Sequence, residues 1–530
     1  MPHFTPVLVV IAFAVIVVTL TALARRLPVP TPILQVAAGL ALSLIPGLHV
    51  PELEPELVFF LFLPPILWAA AFFTSVREFR ANLRAISLLA VGLVTATTAI
   101  VAVTVHALVP GLPWAVAVVI GAIVSPPDAV AAEAIVKRLP VPARVIAVLE
   151  GESLVNDASA LVLYRTAVAA AVTGAFSWGE AVVRFFIDAG VGVGVGLLVG
   201  WVLIALARRT HDPLAETLLT LVGPYVAWVG AELLHVSAVL ACVAGGIHVR
   251  RHFSTTVGPQ VRLESKAVWD LVIFVLNALI FLLLGLQLGQ LLLVTPADTL
   301  WPALKLGLLV AAVCIVVRIV WMPFGALLPR ALSAEIRRRE ARPSNKGIVL
   351  VAWTGMRGIV SLATALALPR TLADGTPFPY RAEIILVTMT VIVVTLVVQG
   401  LSLAPLIRVL AFPPETAHHD EARMARREAL RWAHEALEDI AREPGTDAAD
   451  VAALRRELTE RQHEHVHHGG AHRGRAALRL KVLERERDLL VRLRNEGAIS
   501  DEVLFEIESE LDLEAARLGR RVHGVAHAHG

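Results

Sequence analysis

Charge is scarce in this chain. Of its 530 residues only 17% are Asp, Glu, Lys or Arg, while 56% are hydrophobic. A soluble protein of this length carries far more surface charge, so the composition excludes that class and points to an integral membrane protein. Cysteine is scarcer still: Cys242 and Cys314 both lie inside apolar segments. That pattern excludes a disulfide framework and leaves them packing roles. The N-terminal stretch MPHFTPVLVVIAFAVIVVTLTALARR lacks a basic region before its apolar run and a small-residue cleavage site after it. It reads as a retained first helix and not as a removable signal. The net charge of +2 excludes nothing; the placement of the charges is what informs.

What is present is a series of apolar windows, each near the roughly 20 residues that cross a bilayer. They fall near 5–24, 32–48, 56–73, 85–108, 114–136, 142–172, 181–207, 214–231, 234–249, 267–292, 302–328, 347–368 and 383–411. This gives about thirteen helices with boundaries good to a few residues, and the stretch 214–249 admits another division. Alternate loops are basic, from Arg25 and Arg26 through Arg77, Arg80 and Arg84 to Arg337, Arg338 and Arg339. The intervening loops carry almost no basic residues; only 369–382 holds Arg370 and Arg381. By the positive-inside rule the first set is cytoplasmic. The odd number of spans then places the N-terminus outside and the tail inside a cell membrane.

An ionisable residue at mid-bilayer costs at least a few kcal/mol and is by default a functional hypothesis. Three segments hold such residues. In GAIVSPPDAVAAEAI, Pro126 and Pro127 donate no backbone hydrogen bond and disfavour helix at the preceding residue. The fifth span is therefore predicted to break beside Asp128. In LEGESLVNDASALVLY, Ser153 and Asp157 lie roughly 40° apart on one helix face, as do Glu152 and Asn156 on a neighbouring face. Asp157 sits roughly 22 Å into the sixth span at 1.5 Å per residue, and Asp128 reaches a similar depth from the other side. In WTGMRGIVSLATALALP, Arg357 lies between Gly355 and Gly358; a buried Arg needs a carboxylate, and Glu152 is a candidate at the right depth. Interrupted spans in both halves are the sequence sign of a transporter with inverted repeats, its site where the breaks meet.

The runs LFLPPILWAAAF, GAIVSPPDAVAAEAI, EGESLVNDASALVLY, LNALIFLLLGLQL and WTGMRGIVSLATALALP resemble the monovalent cation:proton antiporter family, in its bacterial Na+/H+ exchanger branch. The similarity is spread over about residues 5–411 in the order and spacing of that family. The resemblance implies an all-α polytopic membrane fold of thirteen helices, with two broken helices crossing in a core part beside a dimerisation part, and a homodimer. It implies that Asp157 binds the cation and the proton, with Asn156 as its partner. Asp128 matches the aspartate of a Thr-Asp-Pro motif in the broken helix, although Pro127 and Ala129 stand where that motif has Thr and Pro. Ser153 matches a serine that helps ligate the ion in some members, and Glu152 with Arg357 matches a pair that braces the core. One departure concerns the ligands: where many relatives have Phe-Glu after Pro-Pro of the third span, this chain has Trp68 and Ala69.

The expected chemistry follows from these residues. Na+ is a hard cation that takes oxygen ligands, which carboxylates, a hydroxyl and the carbonyls freed at a break supply. A desolvated carboxylate takes a proton in place of the cation. Exchange then follows if the core moves between inward- and outward-facing states only when Asp157 is neutralised. A single titrating aspartate with Asn156 beside it favours 1:1, electroneutral exchange serving pH and Na+ homeostasis. Glu150 is a funnel charge on the cytoplasmic approach. Asn277 and Gln287 read as packing residues, Lys305 and Arg318 as snorkelling or interface charges. Ser153 alternatively bonds back to Leu149.

From about 413 the chain turns to amphipathic, charge-rich helical segments, read as a cytoplasmic tail with regulatory potential. His463, His465, His467, His468 and His472 cluster there, with His523, His527 and His529 at the end. Without cysteine partners they read as a pH-responsive or solvated segment and not a metal site. The chain is not expected to be an enzyme, to need a cofactor or to bind nucleic acid; its partners are Na+ and H+ as substrates and the lipid bilayer. A K+/H+ antiporter needs the same carboxylates and is the rival within transport. An intramembrane aspartyl protease needs a Gly-x-Gly-Asp type motif, which neither Asp128 nor Asp157 has.

Overall fold

The structure is a computed structural model that describes residues 5–24, 26–27, 29–45, 55–136, 139–173, 178–210, 212–339, 342–372, 375–413, 416–443, 447–466, 470–496, 507, 511 and 513–515. The chain divides into two compact units, Met1–Phe412 and Pro413–Gly530.

In the first unit every apolar window of the sequence coincides with a helix or with two half-helices. They are Thr5–Ala24, Thr31–Ser43, Pro55–Phe73, Leu83–Leu108, the pair Trp114–Val124 and Ala129–Val136, Ala143–Thr173, Trp178–Ala207, Pro213–Leu233, Ala238–Thr256, Pro259–Val294, Ala297–Leu332, the pair Asn345–Trp353 and Ile359–Leu366, and Arg381–Leu410. Among the described residues, six helices are individually long and apolar enough to cross a membrane. The molecule is an all-α, multi-pass membrane protein. Its backbone polar groups are satisfied within helices, the arrangement a bilayer requires. The ambiguous stretch 214–249 resolves into two helices: the chain reverses at His235, whose φ of 54° is left-handed, and Ser237 caps the next helix by accepting from Leu240 N.

Burial grades the helices from centre to rim. The apolar window of Arg381–Leu410 is 72% buried, that of Val183–Ala207 only 28%. The first packs against both broken helices; the second exposes Phe186, Leu198 and Trp201. Small residues let neighbours approach closely, as is usual where lipid gives helices no hydrophobic reason to associate. At the crossing of Thr31–Ser43 with Pro259–Val294, a β-carbon on Gly39 would run into the Leu282 carbonyl, and one on Gly285 into that of Val36.

The second unit holds the helices Thr416–Ile440, Ala448–Val466 and Gly470–Asn495. Leu437 and Leu458 are buried and Arg455 meets Glu438 at 2.5 Å. The glycine-containing stretch HHGGAHRGR is helical from Gly470 onward. His467, His468, His523, His527 and His529, and most of the last expected helix, lie outside the described residues.

Candidate cation-binding site

Two helices are interrupted, each where its sequence gives a reason. The first stops at Val124 and resumes at Ala129, because Pro126 and Pro127 cannot donate to the preceding turn. The second stops at Trp353 and resumes at Ile359, spanning Gly355 and Gly358. The two breaks cross and satisfy each other's backbone. Asp128 N donates to the Met356 carbonyl at 2.7 Å. Ile359 N, the first amide of a half-helix, donates to Asp128 Oδ2 at 3.1 Å. Arg357 Nε donates to the Val124 carbonyl at 3.0 Å, and Arg357 N to Thr395 Oγ1 at 3.1 Å. Buried backbone groups that lose their helical partners thus find new ones across the crossing. The carboxylate of Asp128 also sits at the positive end of the half-helix Ile359–Leu366, where a negative charge is stabilised.

The helix Ala143–Thr173 passes beside this crossing. Asn156 Nδ2 donates to the Pro127 carbonyl at 2.7 Å, so the side chain braces the first break. Asn156, expected beside the cation- and proton-binding Asp157, is turned to the backbone of the break and is not among the residues lining the cavity. One residue further, about 100° around the helix, Asp157 faces a cavity of about 600 Å³. Asp128, Ser153, Glu150, Pro126 and Pro127 line the same cavity, as do Ala69 and Thr74. Asp157 is 7% exposed and within electrostatic reach of Asp128. The cavity extends past Glu150 and Glu133 to Lys266 and Asp270, which pair at 2.7 Å on an exposed face of Pro259–Val294. Beside the break this lining brings together the carboxylates of Asp128 and Asp157 and the Ser153 hydroxyl, oxygen donors of the kind a hard cation takes.

The expected ion pair between Glu152 and Arg357 is corrected by the structure. Glu152 pairs with Arg318, whose Nη1 and Nη2 donate to Oε1 and Oε2 at 2.5 and 2.8 Å. Arg318 Nε also donates to the Val351 carbonyl at 3.0 Å. Arg357 instead gives its guanidinium to the carbonyls of Val124 and Gly355. Geometry decides between them: Arg357 sits inside its break and is drawn to the free carbonyls there, while Arg318 reaches Glu152 from the helix Ala297–Leu332. Reading Arg318 as an interface charge overlooked a signal. It lies ten residues inside the end of the apolar window 302–328, roughly 15 Å at 1.5 Å per residue and near mid-bilayer, where an ionisable group calls for a partner.

The glycines flanking Arg357 answer to space. A β-carbon on Gly358 would overlap the Asp128 carboxylate, and one on Gly355 would press on Arg318 Cδ. Trp68 is buried in a cleft floored by Gly223 and Gly245, while its neighbour Ala69 turns a methyl group to the cavity. Sequence reasoning passed over Ser361 and set Asn277 aside as packing; both line the cavity.

Comparison with known proteins gives a consistent result. The profile of the family described as sodium/hydrogen exchanger, transmembrane, matches residues 11–409. An uncharacterized Na(+)/H(+) exchanger of Mycobacterium tuberculosis is 36% identical over 524 residues, covering 96% of both chains. A sodium, potassium, lithium and rubidium/H(+) antiporter of Bacillus pumilus is 32% identical over 91% of this chain and 73% of its own length. Among solved structures, the sodium proton antiporter MjNhaP1 of Methanocaldococcus jannaschii has the same fold, with a TM-score of 0.58 at 19% identity, covering 77% of this chain and 99% of that one.

Proposed function

The chain belongs to the sodium/hydrogen exchanger family, and on that premise we propose that it is a secondary antiporter exchanging Na+ and related monovalent cations for H+ at Asp157. The observation that carries this reading is a buried carboxylate, Asp157, sharing one cavity with Asp128 and Ser153 at the crossing of two broken helices. Na+ is taken as substrate by oxygen donors. Asp157 and Ser153 supply them from one helix face and Asp128 from the break beside it. A carboxylate holding a proton cannot hold the cation, so the two substrates exclude each other.

Coupling needs only that the cavity switches its access when Asp157 is neutral, whether by Na+ or by H+. One titrating carboxylate then gives 1:1, electroneutral exchange. Asp128 accepts from the first amide of the half-helix Ile359–Leu366, a position that favours a negative charge. Glu150 and Glu133 line the route toward Lys266 and Asp270 and raise the local cation concentration.

The basic loops support an orientation with the Lys266 end of the cavity toward the cytoplasm, the N-terminus outside and the tail inside a bacterial inner membrane. Exposed apolar side chains such as Phe186 and Trp201 support a lipid-facing or self-associating rim and hence a homodimer. The Bacillus pumilus relative's name spans four cations, so K+, Li+ and Rb+ belong in the substrate class to be tested.

The test is cation-dependent proton flux in everted vesicles with Na+, Li+ and K+ in turn. Exchange in the wild type and its loss in Asp157→Asn are expected. Full activity in that variant overturns the site, and cation flux uncoupled from protons overturns antiport.

A further inference from the structure

Two polar side chains face the cavity without hydrogen-bond partners among the described residues. Ser361 is 1% exposed, and its Oγ is buried and unpaired. Asn277 is half-buried, with its Oδ1 likewise buried and unpaired. Both line the cavity that holds Asp128, Ser153 and Asp157.

An unpaired buried hydroxyl is unusual and destabilising. Many helical hydroxyls of this molecule return to a carbonyl one turn back, among them Thr104 to Ile100, Thr388 to Ile384 and Ser402 to Val398. Ser361 is the third residue of the half-helix Ile359–Leu366. The carbonyls one turn behind it belong to the break, and that of Gly358 already accepts from Leu362 N. The break therefore leaves the Ser361 hydroxyl directed to the cavity.

Asp157 and Asp128 do not by themselves supply every oxygen a cation here needs. A hard cation gathers on the order of six oxygens. Asp128 spends Oδ2 on Ile359 N, and Ala69 offers a methyl group. Unpaired neutral oxygens in the same wall suit the remaining positions.

We propose that Ser361 Oγ and Asn277 Oδ1 are neutral ligands that complete the coordination of the transported cation and set the preference among Na+, Li+ and K+. Neither group ionises near physiological pH, so both act on the cation and leave proton uptake at Asp157 to the carboxylate. Their separation on two helices, Ile359–Leu366 and Pro259–Val294, makes the fit sensitive to ion radius.

This inference rests on the antiporter reading above, and its test separates the two. KM values for Na+, Li+ and K+ are measured in everted vesicles for the wild type, Ser361→Ala, Asn277→Ala, Ser361→Thr and Asp157→Asn. A lost oxygen ligand of about 1 kcal/mol predicts a KM for Na+ raised about fivefold in each alanine variant. The KM is expected to rise by more than the maximal rate falls, with altered Na+:Li+:K+ ratios and with recovery in Ser361→Thr. Where a variant inserts poorly, the Na+ concentration that raises the melting temperature of the purified protein gives the same comparison. KM values and ratios within about twofold of the wild type in both alanine variants overturn the inference. Absent coupled flux in the wild type overturns the antiporter reading itself, and unimpaired flux in Asp157→Asn overturns the site on which that reading rests.

Discussion

Arg318 and Glu152 meet through two parallel hydrogen bonds of 2.5 and 2.8 Å, and the side chains are 1% and 2% exposed. The pair ties the helix Ala297–Leu332 to Ala143–Thr173, the helix that carries Asp157. Removing one member leaves the other as an uncompensated buried charge, which costs about 3–5 kcal/mol. Arg318→Ala and Glu152→Gln are therefore expected to lower the melting temperature in detergent sharply. Arg318→Met with Glu152→Leu is expected to recover much of that loss. Equal melting temperatures in all four proteins would show that the pair contributes nothing.

Gly358→Ala is expected to abolish exchange, since the added carbon occupies the space of the Asp128 carboxylate. Neither partner can yield without opening the bond from Ile359 N. Vesicles containing Gly375→Ala, where no atom lies near the added carbon but φ is +81°, control for backbone strain in an exposed loop. Retained flux in Gly358→Ala would show that the crossing has slack.

Asn156→Asp replaces the donor to the Pro127 carbonyl with an acceptor. The break loses a buried hydrogen bond, a cost of about 1–3 kcal/mol. The variant is expected to melt lower and transport more slowly, whereas Asn156→Gln partly retains the bond. A variant as stable and fast as the wild type would remove Asn156 from the bracing role.

Competition at one carboxylate fixes the sign of the pH dependence. Below the pKa of Asp157 the proton excludes Na+, so the apparent KM for Na+ rises as pH falls, approaching about tenfold per unit. The maximal rate at saturating Na+ changes far less. Flux measured at matched internal and external pH distinguishes this from a KM that is flat with pH, which would refute simple competition.

Deleting residues 413–530 is expected to leave coupled exchange in place, because the first unit contains every residue of the cavity. A shift in the pH at half-maximal rate is the expected signature of the histidine-rich tail. Loss of cation-dependent flux in a truncated protein that still reaches the membrane would assign the tail a direct part.

The pattern of apolar windows was legible because helix length and hydropathy are local properties. The breaks were legible for the same reason: Pro126 and Pro127 remove hydrogen bonds wherever they stand, and Gly355 and Gly358 loosen their helix. Asp128 and Asp157 stood out because charge inside an apolar run needs an explanation. The partner of Glu152 was not legible in this way. Arg318 and Arg357 both lie deep in apolar spans, and spacing along the chain does not say which guanidinium faces which carboxylate.

The sequence by itself determined an all-helical membrane protein with two interrupted helices and acids at matching depth, since composition, periodicity and proline act within a few residues. Only the tertiary structure decided that Arg318 neutralises Glu152, that Asn156 holds the Pro127 carbonyl, and that Ser361 and Asn277 turn unpaired oxygens to the cavity. These are facts about the crossing of helices distant in the chain. Burial makes each of them count: at such a crossing every freed carbonyl and every charge must find a partner, and geometry alone selects it.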